Sequence, residues 1–192
     1  MTNSEKVLKI FQETDAMLSG HFLLTSGRHS DRYFQCALVI QHPQYCSDLC
    51  QELGSRFDQE GVTAVVGPAM GGIVMSYELA HHLSVRSLFT ERQEGKMTLR
   101  RGFHISPGER VLVVEDVITT GGSVKEVIKL VQEAGGEVVG VAVLVDRSGG
   151  QANLGVRTES LLQIPAVSYR PEECPFCQQG MPIVKPGSRK IG

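Results

Sequence analysis

The sequence predicts an α/β protein built on a central, mainly parallel sheet flanked by helices. Three observations carry that expectation. From residue 62 onward, short Val-rich apolar runs alternate with stretches of helical periodicity. Two of those runs, over 111–114 and 138–145, carry no polar side chain, as strands covered on both faces do. One of them, residues 111–114, leads directly into two acids, a Thr/Gly loop and a helix start. Sheets of this kind bind ligands outside the carboxyl ends of their strands.

Taken in order, residues 2–18 predict an amphipathic helix. Thr2-Asn3-Ser4-Glu5 fits a capping box, Val7, Ile10, Phe11, Met17 and Leu18 share a broad face, and Gly20 is expected to end it. Residues 21–40 mix the polar cluster TSGRHSD with an apolar run over 36–40. Pro43 suits the first turn of a second helix, in which Tyr45, Leu49, Leu53 and Phe57 recur at four-residue steps and Gly61 provides the stop. A strand over 62–66 then meets the turn GPAMGG and a helix over 73–83, followed by a strand over 85–90. Residues 91–104 are polar, basic and turn-prone. Beyond the strand at 111–114 come a helix over 124–131, the pair Gly135-Gly136 and a long strand over 138–145. The tail after Gly149 is less regular and holds one more strand, over 159–164. No repeat, low-complexity tract or linker divides the chain, so residues 1–192 are expected to form one domain.

Bulk properties narrow the function. The 192 residues suffice for one α/β core. With 19 Lys and Arg against 21 Asp and Glu, the chain lacks the basic excess of a dedicated nucleic-acid binder. No apolar run reaches the length of a membrane span, and charges at Glu5, Lys6, Lys9, Glu13 and Asp15 break up any signal-like stretch, so a cytoplasmic location is expected. Five cysteines in such a protein suggest free thiols.

The informative stretch is residues 111–124, VLVVEDVITTGGSV. Glu115 and Asp116 stand where the strand ends. Two glycines let the loop turn its backbone N–H groups inward, and the loop feeds a helix N-terminus, where unpaired N–H groups and the dipole favour an anion such as phosphate. The lysine of a P-loop is absent, and no G-x-G-x-x-G follows the first strand. Two carboxylates beside a phosphate nest suit a sugar phosphate instead. The acids accept hydrogen bonds from ribose hydroxyls, the loop holds the phosphate, and the acids can help anchor a substrate-bound Mg²⁺.

These residues resemble the thirteen-residue signature of type I phosphoribosyltransferases: four apolar residues, two acids, an apolar pair, Thr, small, Gly, small, Ser or Thr. The segment LLTSGRHSDRYF, residues 23–34, is similar to that of orotate phosphoribosyltransferases, whose core is S-G-x-x-S-x-x-Y. The resemblance implies a hood over the base site, made by residues 1–40 and the tail 150–192. It implies transfer of ribose 5-phosphate from 5-phosphoribosyl-1-pyrophosphate (PRPP) to N1 of orotate, giving orotidine 5′-monophosphate and pyrophosphate with Mg²⁺ as cofactor. PRPP would be bound by Glu115, Asp116, Val117, Ile118, Thr119, Thr120, Gly121, Gly122 and Ser123, and its pyrophosphate by Ala69, Met70, Gly71 and Gly72. Ser26, Thr119 and Arg147 would contact orotate, where a guanidinium suits the ring carboxylate. Loop 91–104, with Arg92 and Lys96, would close over the pyrophosphate of the neighbouring subunit in a homodimer, and Lys96 and Asp116 would act in catalysis.

The sequence departs from that pattern in three places. Thr25 stands where many orotate enzymes have Lys, Met70-Gly71 replaces a Tyr-Lys pair, and the loop's basic spacing differs. A purine-base phosphoribosyltransferase and a non-enzymatic regulator on the same fold are the alternatives. Cys174 and Cys177 form a lone CxxC. Structural zinc needs four ligands, and the sequence offers neither a second pair nor a nearby His. The pair therefore reads as reduced structural thiols, against the alternative of a metal site completed between subunits.

Overall fold

The computed structural model describes residues 3–24, 27–165 and 167–186. The first helix, α1, spans Asn3–Glu13 and is shorter than its periodicity suggests. Thr14 ends it by returning both its N–H and its hydroxyl to the carbonyl of Ile10, and Asp15 then turns the chain with φ 51°. Met17 and Leu18, expected on the helix face, open a strand, β1 (Met17–Leu23). Gly20 lies inside that strand, where the register against β2 (His29–Phe34) shifts, so it marks a bulge and not a helix end.

The apolar run at 36–40 forms a short helix, α2 (Ala37–Ile40), and α3 (Pro43–Ser55) follows from the expected proline. Phe57 lies beyond the end of α3 and is still buried in the core, and Gly61 sits further on at φ 58°. Leu49 and Leu53 point into the core, where truncating Leu53 to Ala would cost about 2–5 kcal/mol.

The remaining elements are β3 (Ala64–Pro68), α4 (Gly71–Leu83), β4 (Arg86–Gln93), β5 (Lys96–Leu99), β6 (Arg110–Ile118), α5 (Gly122–Glu133), β7 (Glu137–Asp146), β8 (Thr158–Gln163), β9 (Ser168–Tyr169) and α6 (Pro175–Gln178). Six strands form one sheet in the order β5-β4-β3-β6-β7-β8. All neighbours are parallel except the edge strand β5, which turns back antiparallel on β4. One apolar layer joins α1, α3 and α4 to one face, and a second packs Val124, Val127, Ile128 and Val131 of α5 against the other. The parallel strands run in the doubly wound order 2-1-3-4-5, whose direction of winding reverses between β3 and β6. Ligands bind in such sheets at that crevice.

A separate antiparallel sheet, β1-β2-β9, stands over this edge and joins the N-terminal hairpin to the tail. Arg28 donates from Nε and Nη2 to the hydroxyl and carbonyl of Ser168, and Val184 pairs with His21 and Leu23. No helix among the described residues is long and apolar enough to cross a membrane.

Candidate active site

The two loops singled out in the sequence meet at the switch point. β3 ends at Pro68, and Met70 precedes the first turn of α4. Ala69 donates its N–H to Thr90 O at 2.8 Å, so that group belongs to the sheet and is not available to a ligand. The Ala69–Met70 peptide is cis, and the Met70 side chain is 80% exposed. Gly71 and Gly72 begin the helix. Their lack of a Cβ is required, because a Cβ on Gly71 would lie 2.4 Å from Asp116 Oδ2 and one on Gly72 would lie 2.9 Å from Pro68 Cδ.

Opposite them, β6 runs through Glu115, Asp116, Val117 and Ile118 before the chain turns at the exposed Thr119 and Thr120. Gly121 then takes φ 74°, and a Cβ there would meet Leu154 Cδ2 at 2.5 Å. Gly122 and Ser123 open α5. Neither α4 nor α5 has a side-chain cap, so two helix N-termini face the same crevice with first-turn N–H groups that no side chain caps.

Glu115 is buried and accepts from the N–H of Asp116, while Asp116 Oδ1 accepts from the N–H of Val117 at 2.8 Å. Burial pushes the Asp116 carboxyl above the usual carboxylate range, against the opposing pull of a side-chain hydrogen bond with Glu115 and of the N–H groups of Val117 and of Asp116 itself. No basic side chain among the described residues forms an ion pair with it.

Arg147 follows β7, and its N–H donates to Ile118 O at 2.8 Å, which sets it beside the loop of residues 119–123. The turn after it is built by Asp146, whose carboxylate accepts from Ser148 N–H and hydroxyl and from Gly150 N–H. The Arg147 side chain is 5% exposed. Nη2 donates to Ser30 Oγ at 3.2 Å and to Arg32 O at 3.0 Å, Cζ lies 5.5 Å from the centre of the Phe34 ring, and Nε is buried without a partner. Burial lowers its pKa, with Asp31 and Tyr33 opposing, and a guanidinium stays charged through such a shift. A cavity of about 280 Å³ opens here, lined by Asp31, Arg32, Phe34, Arg147, Ile164, Pro165 and Val167. Tyr33 lies between this cavity and Asp116: burial first, then Asp116 and Cys36, raise its phenol, while Arg147 pulls the other way.

The family of this chain is decided by one match. Residues 41–154, which hold both loops, Asp116 and Arg147, fit the family model of the phosphoribosyl transferase domain. The chain belongs to the phosphoribosyltransferase family. A protein of Pelotomaculum thermopropionicum named orotate phosphoribosyltransferase is 67% identical over 191 residues, covering 100% of both chains. One of Desulforamulus reducens with the same name is 67% identical over 98% of this chain and 99% of its own. The crystal structure of orotate phosphoribosyltransferase from Aeropyrum pernix superposes with a TM-score of 0.70 at 31% identity, covering 82% of this chain and 93% of the other.

Within this phosphoribosyltransferase, residues 91–104 are more ordered than their composition suggests. β4 continues through Glu91 and Arg92, turns at Glu94-Gly95 and returns through Lys96 in β5. Cross-strand pairing and two ion pairs hold the hairpin. Arg101 forks onto Glu91, and Arg92 forks onto Glu126 of α5 at 2.7 and 3.0 Å. Arg92 is thus engaged on the flank of its own α5, whereas Lys96 is exposed at the hairpin tip. Ser26 lies outside the described residues. Asp31, Arg32 and Phe34 were missed as pocket residues. Asp31 and Arg32 are neighbours on β2, so no local periodicity marks the three together, and only the fold that brings β2 to Arg147 sets them at the cavity.

Proposed function

We propose that the chain is an orotate phosphoribosyltransferase acting in pyrimidine biosynthesis, with PRPP as donor and orotate as acceptor. The observation that carries the choice of base is the buried guanidinium of Arg147, set at the wall of a base-sized cavity with Nε unpaired. Orotate differs from uracil by a ring carboxylate, and that anion would supply the missing acceptor and offset the cost of a desolvated cation. The full-length relatives named for the same activity support the reading.

In this reading the donor lies across the switch point. Its 5′-phosphate sits on the loop Thr119, Thr120, Gly121, Gly122 and Ser123 at the N-terminus of α5. Glu115 and Asp116 hold the ribose hydroxyls, and the first turn of α4 at Met70, Gly71 and Gly72 receives pyrophosphate. Thr119 and Arg147 orient orotate, with Ser26 as a further contact. N1 of orotate then forms its bond to the anomeric carbon as the bond to pyrophosphate breaks, its proton passing to the departing pyrophosphate or to solvent, and the charge that develops on the ribose is favoured by the two acids. Catalysis is positioning and electrostatics, with the hairpin cation Lys96 stabilising the departing pyrophosphate.

Mg²⁺ fits the donor set, because Glu115 and Asp116 offer hard oxygens and no basic side chain among the described residues forms an ion pair with Asp116. Bound through substrate oxygens and these acids, the ion would supply charge neutralisation of pyrophosphate. The chain works as one domain in the cytoplasm, and as a homodimer in which loop 91–104 serves the neighbouring site.

Arg147→Ala and Arg147→Lys test the base site together. A charged hydrogen bond is worth about 1.5–3 kcal/mol, so Ala should reduce kcat/KM for orotate tenfold or more with donor affinity little changed. Lys keeps the charge without the fork and should fall between. Unchanged orotate kinetics in both variants would remove Arg147 from the site.

A further inference from the structure

The CxxC is not alone. β1 and β2 bring His21 and His29 to the tail, where Cys174 and Cys177 flank the start and middle of α6, and one ligand atom from each residue lies within 4.8 Å of all the others. This overturns the expectation that no histidine is near: the two are remote in sequence and reach the pair only through the hood sheet. From this geometry we propose that His21, His29, Cys174 and Cys177 form a structural Zn²⁺ site that fastens the C-terminal tail to the hood.

Three of the four closest separations match a tetrahedral N₂S₂ shell, and the fourth, between the two imidazoles, is a few tenths of an ångström short of it. His21 Nε2 lies 3.0 Å from His29 Nδ1, 3.4 Å from Cys174 Sγ and 3.6 Å from Cys177 Sγ, and Cys177 Sγ lies 3.3 Å from His29 Nδ1. With zinc bonds of about 2.0–2.1 Å to nitrogen and 2.3 Å to sulfur, tetrahedral geometry separates ligand atoms by about 3.3–3.8 Å.

The tautomer is fixed from behind. His21 Nδ1 is 2.9 Å from the carbonyl of Met181, which can only accept, so Nδ1 carries the proton and Nε2 presents its lone pair to the cluster. One lone pair cannot accept well from three neighbours at once, whereas a cation at their centre satisfies all four groups. Two thiolates and two neutral imidazoles leave the site without net charge once Zn²⁺ is bound, as burial of three of the four ligands requires. The ring of Phe176 packs 5.6 Å from His21 and shields one side, while Cys177 remains exposed and gives the ion an entry path.

The site lies beyond the catalytic crevice and stands apart from the assignment of substrates. His29 precedes Ser30, the residue that holds Arg147, so the metal anchors the strand that frames the base cavity.

The test uses untagged, full-length protein isolated under reducing conditions. Elemental analysis should find about one zinc per chain. Cys177→Ser, at an exposed position where packing is not at stake, should lose at least nine-tenths of it. Cys46→Ser, in the core away from the cluster, should keep it. Stripping with a chelator should lower Tm, and Zn²⁺ should restore it. Co²⁺ added to the stripped wild type should give the visible absorption of a tetrahedral site with a thiolate charge-transfer band. Reduced wild-type protein that takes up neither Zn²⁺ nor tetrahedral Co²⁺ would overturn the proposal, and so would full metal retention in Cys177→Ser.

Discussion

The carboxylate of Asp116 rests directly on the backbone of Gly71, so closely that a Cβ at Gly71 would stand 2.4 Å from Oδ2. This contact joins the two halves of the crevice, the acid from the end of β6 and the first turn of α4. It also gives a physical reason for glycine at a position where many related sequences carry a basic residue. Gly71 is the first residue of α4, so Gly71→Ala should gain only a fraction of the roughly 1 kcal/mol that the same change gives in a helix interior. It should still raise KM for PRPP and lower kcat, tenfold or more in kcat/KM, because Asp116 must swing away. Steady-state kinetics beside a thermal melt would separate the two effects, and unchanged donor kinetics would show that Asp116 does not need its present position.

Asp116→Asn should trade activity for stability. The folded carboxyl holds its proton to higher pH than the unfolded one because burial disfavours its charge. Stability from this group is therefore greatest below the unfolded value, falls as pH rises between the two values, and is lowest above the folded one. Asn carries no such penalty. Without substrate or Mg²⁺, the variant should melt above wild type at pH 7–8, with the difference shrinking toward pH 4, while turnover falls tenfold or more. A variant that melts lower at neutral pH would contradict the assignment of Asp116 as a strained functional acid.

The hairpin cations should not be equivalent. Arg92 is forked onto Glu126, so Arg92→Ala should cost less activity than Lys96→Ala, whose side chain is exposed at the tip. If the hairpin serves the neighbouring site, mixing Lys96→Ala with Asp116→Asn under subunit exchange should restore activity. One site of each heterodimer then has an intact Asp116 and a wild-type hairpin from its partner. A mixture that shows only the mean of the parents despite exchange would place the hairpin on its own site.

Much of this was legible in the sequence because it is local. The strand, acids, glycines and helix of residues 111–124 are contiguous, and their order alone sets the crevice. Arg147 was legible as a strand-end cation, but its burial was not, since Ser30, Arg32 and Phe34 come from β2. The first helix was read too long because Met17 and Leu18 continue its apolar face, and only the Thr14 and Asp15 turn redirects them. The charges of the segment after Thr90 hide its cross-strand pairing from the sequence, and it forms a hairpin and not a loop. The four-ligand cluster was invisible because its halves lie at opposite ends of the chain.

The most direct test of the central claim is pyrophosphate release from PRPP and Mg²⁺ with orotate, uracil, adenine or hypoxanthine as acceptor. Orotate should turn over, giving orotidine 5′-monophosphate, with at least a hundredfold lower kcat/KM for the other three, in keeping with the loss of one or two charged hydrogen bonds of about 1.5–3 kcal/mol each. Preference for a purine, or equal use of uracil and orotate, would contradict it.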